Sequence, residues 1–124
     1  MGIFKVGCLL ENQRNRSRSI RVPKVMVDMG SELTWIQEGY LREVGIEPEK
    51  ENIRFVMANG QEIVRSIGFA IIHVDYGEFT TDGVVFAKEE DLQLLGARTL
   101  EGLNLRVDSR HIKIGGGRFV HGRR

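Results

Sequence analysis

The stretch Val25-Met26-Val27-Asp28-Met29-Gly30-Ser31-Glu32-Leu33-Thr34-Trp35-Ile36 (VMVDMGSELTWI) decides how this chain is read. An apolar run ends on a carboxylate, a glycine follows two places on, and a second apolar run begins at Leu33. Asp and Gly are favoured in turns, so an Asp-x-Gly triplet alone is weak evidence of chemistry. A second triplet, Asp75-Tyr76-Gly77, is followed by Glu78 and reads as an exposed hairpin turn. Asp28 differs because apolar segments flank it, and a carboxylate drawn into such a place needs donors or a chemical task.

Working outward, residues 3–10 alternate, with Ile3, Lys5 and Gly7 on one face and Phe4, Val6 and Cys8 on the other, which predicts a strand. Residues 11–19 (ENQRNRSRS) are polar and arginine-rich and read as a solvated hairpin loop. They carry no interleaved aromatic residues to stack on bases. Residues 20–27 form a second strand, with Pro23 marking an edge or a bulge. Residues 35–44 predict a short helix, closed by Gly45 with Pro48 beyond. Asn59-Gly60 between two apolar-rich runs (residues 53–65) predicts a tight hairpin whose two central residues both take positive φ. Residues 67–75 and 80–87 read as further strands, and 88–91 as a charged turn. Residues 94–103 predict a buried strand running into a short helix, and 105–108 and 111–114 two last strands. Many short strands with one or two short helices imply a mostly-β closed or sandwiched sheet.

At 124 residues the chain is one domain with enough length for a core of its own. Eighteen Lys and Arg against seventeen Asp and Glu leave a formal net charge of +1, which argues against nucleic acid or an anionic membrane as partner. A single cysteine, Cys8, rules out an internal disulfide and reads as a small buried hydrophobe. His73, His111 and His121 show no metal-ligand spacing, His73 reads as structural, and no metal or cofactor is expected. Gly115-Gly116-Gly117 lacks the lysine and the helix of a phosphate loop. No apolar run reaches membrane-span length, the N-terminus lacks a signal-peptide layout, and Val6 stands where myristoylation requires Ser or Thr. These features predict a soluble, cytoplasmic protein with a folded domain over residues 1–114 and a flexible Gly/Arg tail over 115–124.

Three segments in order, VDMGSELTWI, FVMANGQ and LQLLGARTLEGL, resemble a retropepsin-like aspartic protease of the small single-domain prokaryotic type, over about residues 2–114. The resemblance implies a closed acid-protease barrel that pairs into a homodimer, each chain giving one Asp to a shared dyad that hydrolyses a polypeptide substrate. By position, Asp28 is the implied catalytic carboxylate, supported by Met29, Gly30 and Ser31. Gly30 lets the backbone come close, and Ser31 is placed to donate its hydroxyl to Asp28. Met57, Ala58, Asn59 and Gly60 correspond to the substrate-covering flap, and Leu94, Leu95 and Gly96 to the segment beneath the catalytic loop. Met29 departs from the pattern, because the family carries Thr or Ser there, whose hydroxyl bonds across the dimer axis. That departure defines an alternative: a catalytically weakened dimer of the same fold that binds peptides or proteins. A generic β-barrel binding module with Asp28 as a turn residue is a third reading, which the Leu-Leu-Gly helix and the Asn-Gly hairpin disfavour.

Overall fold

A computed structural model describes residues 4–74, 78–107, 111–114 and 119–121. The elements are β1 Lys5–Asn12, β2 Asn15–Val27, β3 Thr34–Gln37, α1 Glu38–Glu43, β4 Lys50–Val56, β5 Glu62–Val74, β6 Phe79–Ala87, β7 Leu94–Leu95, α2 Ala97–Gly102, β8 Leu105–Val107, β9 His111–Ile114 and β10 Phe119–His121. The protein is therefore mostly β with two short helices. Strands β1 to β7 form one mixed sheet in the order β1-β2-β7-β3-β6-β5-β4, and β8 to β10 form a small antiparallel one. Strand β1 also pairs with β5, so Cys8 lies opposite both Val22 and Val74, and Leu10 opposite both Ile20 and Ile72. Two pairings are parallel, β2 with β7 and β3 with β6.

Period-two alternation builds two apolar clusters from the same strands. On β6, Val84 and Phe86 enter the larger cluster with Leu10, Val25 and Leu95, while Val85 and Ala87 enter a smaller one with Trp35, Ile67 and Leu94. On β3, Ile36 and Trp35 divide in the same way. A strand buried on both faces reads as an unbroken apolar run, which is what Val84-Val85-Phe86-Ala87 is. Phe86 is the largest of the fully buried side chains, and truncating such a residue to Ala costs about 3–5 kcal/mol.

Several local expectations change. The arginine-rich segment is strand rather than loop, since β1 runs to Asn12 and β2 resumes at Asn15. Its polarity reflects exposure of that ladder, and Glu11 accepts from Arg16 (2.9 Å) and pairs with His73 (2.6 Å). The His73 contact, aided by Arg16, holds the Glu11 carboxyl below its ordinary range. Pro23 does sit in a bulge, where the register shifts from Val6↔Val25 to Cys8↔Val22. Trp35 and Ile36 lie in a strand, not a helix, because each faces a different core across the ladder to β6. Helix α1 starts only at Glu38 and buries Leu41. Gly45 closes it at φ 77°, with Gly45 N–H bonded to the Arg42 carbonyl (3.0 Å) and Ile46 N–H to that of Leu41 (2.9 Å). The second arm of the hairpin expected over 53–65 and the strand expected over 67–75 are one continuous strand, β5, whose first half pairs with β4 and whose second half pairs with β1 and β6.

Cys8 is fully buried on β1, as the alternation predicts. His73 packs against Phe79 with ring centroids 5.2 Å apart. Residues 75–77, including the Asp75 triplet, and the glycine run 115–117 lie outside the described residues, while Phe119–His121 pairs with His111–Ile114. Among the described residues no helix is long and apolar enough to cross a membrane.

Candidate functional site

Strand β2 delivers the chain to Asp28 by running parallel to β7, with Met26 opposite Leu94 and Val27 opposite Leu95. The Asp28 N–H then donates to the Leu95 carbonyl at 3.0 Å. Beyond it the chain turns tightly. Ser31 N–H donates to the Asp28 carbonyl (3.2 Å), and Gly30 N–H donates to Asp28 Oδ1 (2.9 Å). A Cβ at Gly30 would stand 3.1 Å from that oxygen, so glycine permits the close approach. Asp28 is half-buried, and among the described residues Gly30 N–H is the donor its carboxylate finds. Met29 is half exposed beside it.

Ser31 does not serve the carboxylate. Its Oγ donates to the Leu33 carbonyl at 2.8 Å and stiffens the far side of the loop instead. The expectation of a Ser31–Asp28 bond is thus corrected: the turn carries the hydroxyl forward along the chain rather than back.

Leu94, Leu95 and Gly96 lie against this loop. A Cβ on Gly96 would stand 2.3 Å from the Leu33 carbonyl oxygen, closer than real atoms approach, so only glycine fits. The first N–H groups of α2 have no side-chain cap. They turn to the loop instead: Ala97 N–H donates to the Ser31 carbonyl (2.7 Å) and Arg98 N–H to that of Glu32 (3.1 Å). Groups that a helix start leaves unpaired here fasten the loop.

Beneath the loop is a polar chain. Thr34 and Thr99 are fully buried and Asp82 is nearly so. Gly96 N–H donates to Thr34 Oγ1 (2.9 Å), Thr34 and Thr99 hydroxyls bond each other, and Thr99 Oγ1 donates to Asp82 Oδ2 (2.9 Å). Gly83 N–H supplies Asp82 Oδ1 (2.8 Å), and the Arg98 guanidinium stands 3.7 Å from the same oxygen.

The β4–β5 hairpin carries Met57, Ala58, Asn59 and Gly60 at its exposed tip. The tip is not the expected two-residue turn. Met57 N–H donates to the Gln61 carbonyl and Gly60 N–H to the Met57 carbonyl, both at 2.8 Å. Gly60 has φ 85° while Asn59 stays out of the left-handed region. This is a three-residue loop, a turn followed by a glycine bulge. The Asn59 side chain bonds Gln61 N–H (2.9 Å), which supports the local turn and frees Asn59 from positive φ. Phe55 and Ile63 of the hairpin and Leu33 of the Asp28 loop all pack against the cluster of Trp35, Ile67 and Leu94, so hairpin and loop share one apolar cluster. Phe55 meets Trp35 edge-on at 4.9 Å. Among the described residues no hydrogen bond joins the tip itself to Asp28.

Lower on β5, Arg65 grips Asp91 with two bonds of 2.6 and 2.9 Å, both side chains being nearly buried. Burial pushes the Asp91 carboxyl up, but Arg65 and the Lys88 N–H outweigh it and hold the group below its ordinary value. Gln37 ties down the same turn by donating to the Lys88 and Asp91 carbonyls. Thr34, Asp82, Thr99 and the Arg65–Asp91 pair were not singled out from sequence. The one available signal was a threonine inside the apolar Leu33–Ile36 run, where a hydroxyl must find a partner.

No protein-family model matches the chain, and no curated protein matches it.

Proposed function

We propose that this chain is a retropepsin-like aspartic endopeptidase that works as a homodimer. The observation that carries the reading is the Asp28 carboxylate. It sits at a loop tip fastened from below, with one oxygen held by Gly30 N–H and, among the described residues, no donor to the other. The return of the strand ladder through β1 to β5 supports a closed barrel. The apolar cluster shared by hairpin and loop supports the flap role of Met57 to Gly60.

In this reading two copies of Asp28 face each other across a two-fold axis. Two carboxylates that close share one proton. The ionised one takes a proton from water, the protonated one donates to the scissile carbonyl oxygen, and the hydroxyl attacks the carbonyl carbon. Replacing Asp28 with Asn keeps an oxygen for Gly30 N–H but removes the exchangeable proton. Asp28→Asn is therefore expected to abolish cleavage of a denatured protein while leaving the unfolding midpoint nearly unchanged. Cleavage by the parent is expected to fall on dilution as the dimer dissociates. Undiminished cleavage by Asp28→Asn, or by a demonstrated monomer, overturns the shared dyad. Met29 favours the second reading, since a half-exposed thioether beside Asp28 cannot donate across an axis. That reading expects the same dimer to bind unfolded peptide without cutting it.

A further inference from the structure

Asp82 is an unusual residue to bury. It lies in the middle of β6, opposite Ala70, and its side chain is only 7% exposed. Among the described residues its partners are Thr99 Oγ1, Gly83 N–H and, at 3.7 Å, Arg98. An ionised carboxylate only accepts. Thr99 must therefore spend its one hydroxyl hydrogen on Asp82. Thr34 must then donate to Thr99, because Thr99 has no hydrogen left to give. That leaves Thr34 a lone pair free to accept from Gly96 N–H, as the 2.9 Å contact requires. The direction of every bond in the chain follows from Thr99 donating to Asp82 at its end.

The far end of the chain is the peptide group between Leu95 and Gly96. Its N–H enters Thr34 Oγ1, and its C=O receives the Asp28 N–H at 3.0 Å. One rigid peptide plane thus has the Asp28 backbone on one side and the buried hydroxyl chain on the other. We infer that Asp82 is a positioning residue for Asp28, acting through Thr99, Thr34 and the Leu95–Gly96 peptide. The inference rests on Asp28 being the reactive group of the proposed function, but the mechanical link it describes exists whether or not peptides are cut.

The chain demands a carboxylate. Asn at position 82 has one acceptor and faces two donors, Thr99 and Gly83 N–H. If its amide instead donates to Thr99, the hydroxyls reverse and Thr34 loses its acceptor. Either arrangement leaves a buried polar group unpaired. Thr99→Val, close in shape, cuts the chain in the middle, whereas Thr99→Ser keeps the hydroxyl.

The test is amide hydrogen exchange on the full chain, read at Asp28 and Gly96 and compared with Leu10, which is paired on both sides. Thr99→Val and Asp82→Asn are expected to speed exchange at Asp28 and Gly96 by roughly 5- to 150-fold more than at Leu10, the span for one unpaired buried group. Thr99→Ser is expected to restore the parent rates. In a peptidase assay the same variants should lower kcat with little change in KM. Acceleration that is uniform along the chain, or an Asp28 amide unmoved by Thr99→Val, overturns the inference. If Asp82→Asn does not fold, the Thr99 pair decides alone. A parent that never cuts peptides removes the proposed function, while the exchange result still rules on the link.

Discussion

The Asp28 loop and the tip of the β4–β5 hairpin are both short reversals containing a glycine, yet they are held in opposite ways. The loop from Asp28 to Leu33 is fastened to Leu95, Ala97 and Arg98 by backbone bonds of 2.7–3.1 Å. Gly96 presses against it with no room for a methyl group. Among the described residues the tip from Met57 to Gln61 bonds only within itself, and a Cβ at Gly60 would meet nothing within 4 Å. One reversal is shaped by its surroundings and the other by its own residues. A reactive carboxylate needs the first kind of support, since small displacements of a reacting group are costly. Under the proposed function the tip covers substrate, and a segment that must move needs the second.

Gly96→Ala tests the comparison with the largest expected effect. The new methyl meets a backbone carbonyl rather than a flexible side chain, so the change should cost about 3 kcal/mol in urea unfolding. A cost below about 1 kcal/mol would mean that the loop yields, and the contrast between the two reversals would fail.

Arg65→Met comes next, because Arg65 ties the hairpin's lower half to the turn at Asp91. Losing a nearly buried bidentate pair should cost about 2–3 kcal/mol at neutral pH. The pH dependence has a definite sign. Asp91 in the folded protein titrates below its ordinary 3.8, so the pair contributes fully above that pH and its contribution is lost as the pH falls through the folded value. The stability gap between parent and variant should therefore narrow below about pH 4. A gap that stayed constant into stronger acid would show the ion pair to be irrelevant.

Gly60→Ala should cost only about 1 kcal/mol, the penalty of positive φ without any clash. Its effect on peptide turnover should exceed its effect on stability. The opposite balance would make the tip an ordinary structural turn. Smallest is Ser31→Ala, which removes one part-buried bond to the Leu33 carbonyl and should cost about 0.5 kcal/mol. Protein-detected exchange at Leu33 and Thr34 should report the loosening, with the Gly30–Asp28 contact unaltered.

Much of this architecture could be read from residue order. Alternation in residues 3–10 and the apolar run at 84–87 placed strands, Gly45 marked the end of α1, and Asn59-Gly60 marked a hairpin, because each is a local preference of the backbone. Asp28 stood out because a carboxylate ends an apolar run, whereas Gly30 and the Leu94–Gly96 segment were picked out as site residues only through the resemblance to retropepsin-like proteases. Errors arose where partners override local preference. Trp35 and Ile36 resemble the start of a helix until β6 runs beside them. The polar residues of early β2 resemble a loop until β1 pairs with them.

Asp82-Gly83 marks the boundary most clearly. As a dipeptide it signals a turn, yet it lies inside β6, paired across to Phe69 and Ala70. Its meaning comes from Thr99, seventeen residues away, and through it from Thr34, sixty-five residues from Thr99. Residue order determines a strand, a turn or a cap because those depend on neighbours within a few positions. Hydrogen bonds between residues so far apart are chosen only when packing brings β3, β6 and α2 together and removes water from between them. Which carboxylate lies open at a loop tip and which is sealed beneath it was decided there.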